Sequence, residues 1–237
     1  MDTVRQVVSD LSIFLYSGVI HLPFTLAGTF LVLGLFTANY AMLFFLVGFL
    51  LLVPLTHWGL EMLFFLSNLE TRLPSLFSPA GDVCRVVVPF VNDSPPQRQV
   101  MSQWMAMVAF FFVYLLRNAT ALYSRDPGPA TAMEVTEKKV TDWQQGTSVR
   151  KSQSIMSMGS IAIAVALLLL MRYRTGCESV FGMMLAMVLF GTLGYFWYNA
   201  LRSAKQDCLS DLFGIANRLL PPSAIVNAPI ACLPVKV

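Results

Sequence analysis

Residues 154–171 read SIMSMGSIAIAVALLLLM and residues 180–201 read VFGMMLAMVLFGTLGYFWYNAL, with only the eight residues RYRTGCES between them. Neither stretch contains a formally charged side chain. A helix needs about 20 mainly apolar residues to cross the hydrocarbon core of a bilayer. We therefore predict two membrane-spanning helices, Ser154–Met171 and Val180–Leu201, and the short connection predicts that they are antiparallel neighbours.

The composition of the whole chain agrees with a lipid environment. Of its 237 residues, 56% are hydrophobic and 12% are charged, and the mean hydropathy is +0.65. A typical soluble domain has about 25% charged residues. The apolar residues are also gathered into long runs, which is the pattern of spanning helices. The sequence thus predicts an all-α membrane protein, a bundle of about five transmembrane helices whose first partner is the lipid bilayer.

The N-terminal part contains the longest uncharged run. Between Asp10 and Glu61 the only side chains that can ionise near neutral pH are two histidines, and the run is long enough for two spans. We divide it at the polar stretch Thr37–Tyr40, which predicts spans at Leu11–Phe36 and Ala41–Glu61. Pro23 and Pro54 fall inside these spans, where a kink or a late start is expected. A short interfacial helix followed by one long tilted span is the alternative.

A third span is predicted at Met101–Leu116, with an extension to Tyr123. Aromatic side chains lie near several span ends, at Trp58, Trp104 and Tyr195–Tyr198. Amphipathic rings favour the headgroup level, so we interpret them as interfacial anchors.

The predicted organisation follows from these spans. It comprises an N-terminal transmembrane hairpin (1–66), a polar loop (67–100), the third transmembrane helix (101–123), a second polar loop (124–153), a transmembrane hairpin (154–201), and an interfacial helix with a proline-rich tail (202–237).

Basic residues predict the orientation of the bundle. With five spans, six of the 16 Lys and Arg residues fall on the side of the N-terminus, and ten fall on the side of residues 124–153 and the C-terminus. Because cytoplasmic loops carry the excess of Lys and Arg, the C-terminus is predicted on the cytoplasmic or equivalent side.

Small residues recur at helical spacing in the last two spans. Ser160, Ala162, Ala164 and Ala166 form one such series; Gly182 and Ala186 form another, and Gly191 and Gly194 follow in the same span. Such spacing is typical of close helix–helix contact, which is the role that we predict for both series.

The four cysteines, Cys84, Cys177, Cys208 and Cys232, are widely spaced and form no Cys–x–x–Cys pair. A zinc site is therefore not expected. The favoured interpretation is that they are free thiols serving as small apolar side chains, and disulfides remain open.

The sequence shows none of the common catalytic motifs. HExxH, GxSxG, the phosphate-binding loop and GxGxxG are all missing, and the aspartates do not cluster. No enzymatic activity, cofactor or metal is predicted. Ser160, which follows a glycine, has no evident His or Lys partner. The net charge of +3 also gives no reason to expect nucleic acid as a partner.

His57 and Glu61 are the one pair of ionisable residues that shares a helical face within a predicted span. Intramembrane ionisable residues are functional candidates, here for a low-ranked proton relay. Because both lie near the end of the predicted second span, the favoured interpretation is an interfacial pair in contact with headgroups and water.

The chain closes with NRLLPPSAIVNAPIACLPVKV, residues 217–237. Its prolines exclude one continuous helix, and its low charge is not typical of a solvated tail. We predict that a short interfacial helix over residues 210–220 leads into an extended segment that docks on a neighbouring protein. The predicted partner-binding residues are Leu212, Phe213, Pro221, Pro222, Ile225, Val226, Ile230 and Leu233.

Three stretches carry a resemblance: RTGCESVFGM (174–183), SDLFGIANRLLPP (210–222) and PIACLPVKV (229–237). Over about the last 70 residues the chain resembles the small multipass membrane proteins of large icosahedral DNA virus particles. That resemblance implies a location in the membrane beneath the capsid and capsid proteins as partners. The chain also resembles accessory subunits of mitochondrial membrane complexes in its sequence composition. That resemblance implies the inner mitochondrial membrane instead.

These observations predict a non-enzymatic structural or assembly protein, a multipass membrane subunit of a large ordered complex. An ion or proton transporter or channel subunit that uses His57 and Glu61 is the alternative.

Overall fold

A computed structural model describes residues 6, 14, 16–68, 99–124, 137–204, 209, 210 and 212. These residues form helices, with no strand among them. We label the helices α1 (Leu22–Phe36), α2 (Tyr40–Leu66), α3 (Gln103–Ser124), α4 (Glu137–Arg174) and α5 (Val180–Ser203). Within the described ranges, four helical segments are long and apolar enough to cross a membrane: α2, α3, the Ser148–Arg174 part of α4, and α5. The predicted all-α membrane bundle is confirmed.

α1 is the shortest of the apolar helices. Its 15 residues extend about 22 Å, less than the roughly 30 Å thickness of the hydrocarbon core. Residues 16–20 are helical as well, and His21 forms a turn between them and α1. In the continuously described part of the predicted first span, Leu11–Phe36, the chain is helical from residue 16 onward. Pro23 lies in the first turn of α1, where a missing N–H is tolerated.

The predicted division at Thr37–Tyr40 is confirmed. α1 ends at Phe36 and α2 begins at Tyr40. Asn39 caps α2, because its side-chain oxygen accepts the backbone N–H of Ala41 at 3.1 Å. The turn therefore joins α1 and α2 as an antiparallel pair whose helices contact each other.

α2 contains a π-helical turn at Gly48–Leu52, shortly before Pro54. Proline cannot donate a backbone hydrogen bond, so the regular hydrogen-bonding pattern is interrupted in this part of the helix. The irregularity falls where the sequence predicted a kink, but α2 continues beyond Glu61 to Leu66.

α3 lies at the centre of the bundle and contacts all four other helices. Its residues 104–111 are all buried, as expected of a helix that is apolar on every side. Aromatic rings of α2 and α3 pack against each other in the core. Their centroids are 5.0–6.5 Å apart, and the residues are Phe45, Phe49, Phe110, Phe111 and Tyr114. Such pairs add to the stabilisation that burial alone provides.

The small residues of α5 pack against α3, as predicted. Gly182, Ala186, Gly191 and Gly194 are buried. A Cβ atom on Gly194 would lie 2.6 Å from the carbonyl oxygen of Phe110, and one on Gly182 would collide with the carbonyl oxygen of Val100. Glycine at these positions lets the two backbones approach closely.

The corresponding prediction for α4 is wrong. Ser160, Ala162 and Ala166 are exposed and Ala164 is half-buried. α4 and α5 are not mainly each other's neighbours, because both pack chiefly on α3. The spacing of small residues in a sequence does not indicate which neighbouring helix they will contact. Here α3 lies against both α4 and α5, so α4 does not pack on α5 through its small residues.

The predicted loop over residues 124–153 is shorter than expected. Residues 137–153 continue α4 toward its N-terminus, so the helix has 38 residues. Good helix formers such as Glu137, Lys138 and Gln144 extend a helix whose costly first turn is already formed in the span. Ser154 fixes this part to α3, donating its hydroxyl to the carbonyl oxygen of Ala119 at 2.6 Å.

Candidate functional site

The turn between α4 and α5 folds the chain back onto the end of α4. Gly176 has φ +69°, a left-handed conformation that glycine adopts without strain. The N–H of Gly176 donates to the carbonyl of Tyr173 at 3.1 Å, and that of Cys177 donates to the carbonyl of Arg172 at 3.2 Å. This is the Schellman pattern of helix termination. Ser179 then caps α5, accepting the N–H of Gly182 at 2.9 Å.

As a result, Glu178 lies opposite Arg172. The guanidinium Nη2 is 3.1 Å from Oε1 of Glu178, and each side chain is only 2% exposed. Ser102, just before α3, contacts both partners: its backbone N–H donates to Oε2 of Glu178 and its hydroxyl accepts from Arg172, each at 3.3 Å. The guanidinium also stacks 4.6 Å from the ring of Trp104. We call Arg172, Glu178, Ser102 and Trp104 the clasp, and the end of the bundle that carries it the clasp end.

The clasp joins three segments of the chain. It connects the end of α4, the α4–α5 turn and the start of α3, and the indole N–H of Trp104 reaches a fourth segment by donating to the carbonyl of Val19 at 3.0 Å. A buried ion pair is tolerated only when further interactions offset its loss of hydration. Here Ser102 contributes hydrogen bonds and the indole ring of Trp104 contributes a cation–π contact. The arrangement fixes segments to one another through contacts at Nη2 of Arg172 and at both carboxylate oxygens of Glu178.

Trp104 is therefore not the interfacial anchor that the sequence predicted. It is 1% exposed and lies between Arg172 and the backbone near residue 19. Trp58 is 64% exposed and Phe196 is 67% exposed, so these two aromatic side chains do face outward.

His57 is also buried, against the prediction of a solvated interfacial pair. It is 5% exposed, and Nε2 lies 3.1 Å from the carbonyl oxygen of Met101. A carbonyl only accepts, so Nε2 carries the hydrogen in this contact. The ring faces Phe190 of α5 at 6.1 Å between centroids. The physical reason is that the side of α2 that carries His57 packs against α3. The helix surface that was predicted to face the headgroups is therefore turned toward the interior of the bundle.

Glu61 remains closer to the surface of the bundle. Its Oε1 lies 3.8 Å from Nε2 of His57, and its side chain is 36% exposed. That oxygen is shielded from solvent and has no hydrogen-bond partner. The predicted spatial pairing of His57 with Glu61 is thus present, with His57 buried and Glu61 partly exposed.

Cys177 does not have a free thiol. It is disulfide-bonded, it is 4% exposed, and its sulfur also lies 3.8 Å from the hydroxyl of Tyr16. The preference for free thiols is therefore wrong at this position. Cys84, Cys208 and Cys232 lie outside the described residues.

The opposite end of the bundle holds the start of the C-terminal segment. The hydroxyl of Tyr114 donates to the carbonyl of Ser210 at 3.2 Å, and the side-chain amide of Asn39 donates to the carbonyl of Leu212 at 3.3 Å. Leu212 is fully buried in the core of its own chain. It is therefore an intramolecular anchor, and its prediction as a partner-binding residue is wrong.

The other predicted partner-binding residues lie outside the described residues: Phe213, Pro221, Pro222, Ile225, Val226, Ile230 and Leu233. The same holds for nearly all of the predicted interfacial helix and for residues 69–98 of the first polar loop.

Within the described ranges, no three His, Cys, Asp or Glu residues come together in a way that could hold a metal ion. Ser160 is exposed, and its hydroxyl donates to the carbonyl of Ser157 at 2.9 Å.

The clasp residues Arg172, Glu178 and Ser102 were not among the predicted site residues. One sequence signal could have found them. A glycine two residues after a helix that ends in basic residues predicts a Schellman turn, and the acid at position 178 then returns toward the basic end of that helix.

No protein-family model matches the chain, and no curated protein or solved structure matches it either.

Proposed function

We propose that this protein is a non-enzymatic structural or assembly component, a multipass membrane subunit of a larger ordered complex. One observation carries the proposal. Several buried polar side chains of the described bundle hold segments together, as in the Arg172–Glu178 pair and the contact of His57 with Met101. Transport pathways instead require polar groups that line a cavity.

α4 supports the same proposal. Only 6% of its most apolar 18-residue window is buried in the chain, compared with 56% for α3. An apolar helix with so much uncovered surface offers it to lipid or to neighbouring subunits. A neighbouring subunit that covers α4 would make this helix part of an assembly interface.

The membrane that houses the complex is part of the proposal. The resemblance of the C-terminal third favours the internal membrane of a virus particle, with capsid proteins as partners, and the inner mitochondrial membrane is the alternative. The C-terminus and residues 124–153 are proposed to face the cytoplasmic or equivalent side.

Gentle purification followed by mass spectrometry of co-purifying proteins tests the proposal. Deletion of residues 221–237 should leave membrane insertion intact, because all the candidate spans precede them, and should reduce recovery of the partners. A variant whose tail is replaced by a Gly/Ser segment of equal length is the matched control for chain length. If the truncated chain recovers its partners as well as the full-length chain does, the tail has no assembly role.

A transporter or channel subunit is the second candidate, and one observation favours it. Glu61 has a shielded oxygen without a hydrogen-bond partner next to the buried His57. Reconstituted vesicles with an entrapped pH indicator decide between the candidates. A proton flux that is lost in the His57→Gln/Glu61→Gln double variant would replace the structural proposal with transport.

A further inference from the structure

We propose that the clasp end faces an oxidising compartment, and that the disulfide of Cys177 is the covalent part of the clasp. Disulfides form and persist in oxidising compartments and are rare where thiol-based reductants are kept active. Cys177 is disulfide-bonded and lies in the α4–α5 turn, between the clasp residues Arg172 and Glu178 in sequence. The disulfide therefore indicates that this turn lies on the side of the membrane that faces an oxidising compartment.

The position of Cys177 couples the disulfide to the ion pair. Its backbone N–H donates to the carbonyl of Arg172, and the next residue, Glu178, binds the guanidinium of the same arginine. A covalent tether on Cys177 thus restrains the turn that places Glu178. Reduction would remove this covalent restraint, so that the turn would be held by noncovalent contacts such as the ion pair and the Schellman hydrogen bonds.

Formation of the bond is ordinary thiol–disulfide exchange. The two thiols lose two protons and two electrons as the sulfur–sulfur bond forms, and a disulfide of the compartment accepts them and becomes two thiols.

The distribution of basic side chains points to the same side independently. At the clasp end the described residues include Arg172 and Arg174, and Arg172 is neutralised by Glu178. At the opposite end they include Arg117, Arg150, Lys151 and Arg202. Among the side chains that the structure describes, the clasp end therefore has fewer basic residues than the opposite end, as expected of the side that faces away from the cytoplasm.

The first test blocks free thiols by alkylation, so that they cannot form new disulfides during lysis. Cells that make the full chain are lysed in excess N-ethylmaleimide, and the digested protein is analysed by mass spectrometry. We expect Cys177 in a disulfide-linked peptide. Recovery of Cys177 as the alkylated thiol would overturn the proposal.

The second test assigns the side. Sealed vesicles of known orientation are used. A membrane-impermeant phosphine should reduce the disulfide of Cys177 only from the face opposite the cytoplasm. A membrane-impermeant maleimide should label the Gln145→Cys variant only from the cytoplasmic face. Access to both positions from the same face would overturn the proposed orientation.

The third test addresses the clasp. Reductant should lower the thermal unfolding midpoint of the wild type to that of Cys177→Ser, and should leave the midpoint of Cys177→Ser unchanged. An unchanged wild-type midpoint after verified reduction would show that the disulfide is not part of the clasp.

Discussion

The indole N–H of Trp197 in α5 donates to the carbonyl oxygen of Phe44 in α2 at 3.3 Å. Phe44 lies four residues before Gly48, where the π-helical turn begins. A Cβ atom on Gly48 would lie 2.6 Å from Nε1 of Trp197. The glycine is therefore what allows the indole to lie across α2.

The first prediction is that Gly48→Ala destabilises the bundle. The added methyl group must displace the whole indole ring, and overpacking of this kind costs about 1–3 kcal/mol. Gly59→Ala in the same helix is the matched control, because no heavy atom lies within 4 Å of its added Cβ. Thermal unfolding in detergent, followed by circular dichroism, should show a lower midpoint for Gly48→Ala alone. Equal midpoints would mean that Trp197 adapts without loss.

The second prediction concerns the contact between α3 and α5. Gly194→Ala would bring a methyl group to 2.6 Å from the backbone oxygen of Phe110. Backbone cannot move aside as a flexible side chain can, so α5 must shift away from α3 and the unfolding midpoint should fall.

Gly159→Ala in α4 is the control for this second substitution. Its added Cβ meets no atom within 4 Å, and alanine favours a helix by up to about 1 kcal/mol over glycine. The contact is unimportant if both variants unfold at the wild-type midpoint.

The spans could be predicted because hydrophobicity along one helix is a local property. The division near Ala38 and the packing role of Gly182 were likewise readable from adjacent residues. Other features depend on contacts between distant segments. The small residues around Ser160 have the same spacing as those of α5, yet they lie exposed because α3 occupies the other side of α4. The burial of Trp104 and the pairing of Arg172 with Ser102 required the position of α3 to be known.

The third prediction is that Arg172→Ala strongly destabilises the clasp end. It leaves the Glu178 carboxylate buried without its partner, and removal of one member of a buried pair costs about 3–5 kcal/mol. Arg174→Ala is the matched control, since Arg174 is exposed two residues away. Thermal unfolding of both variants measures the difference.

Replacing both charges keeps this third prediction specific. Arg172→Met combined with Glu178→Leu should recover much of the lost stability, because well-packed apolar side chains often replace a buried pair without loss. If Arg172→Ala unfolds like Arg174→Ala, the ion pair does not hold the α4–α5 turn.

The last prediction is that His57 and Glu61 differ in importance, although they lie one helical turn apart. His57→Leu leaves the carbonyl of Met101 buried without its donor, and an unsatisfied buried group of this kind costs about 1–3 kcal/mol. Glu61→Gln has little to lose, because the carboxylate is partly exposed and accepts no hydrogen bond through Oε1. Thermal unfolding should therefore separate the two variants, with only His57→Leu clearly lowered. His57→Gln, which retains an N–H donor, should fall between them. A midpoint for His57→Leu equal to that of Glu61→Gln would show that the hydrogen bond to Met101 does not stabilise the packing of α2 on α3.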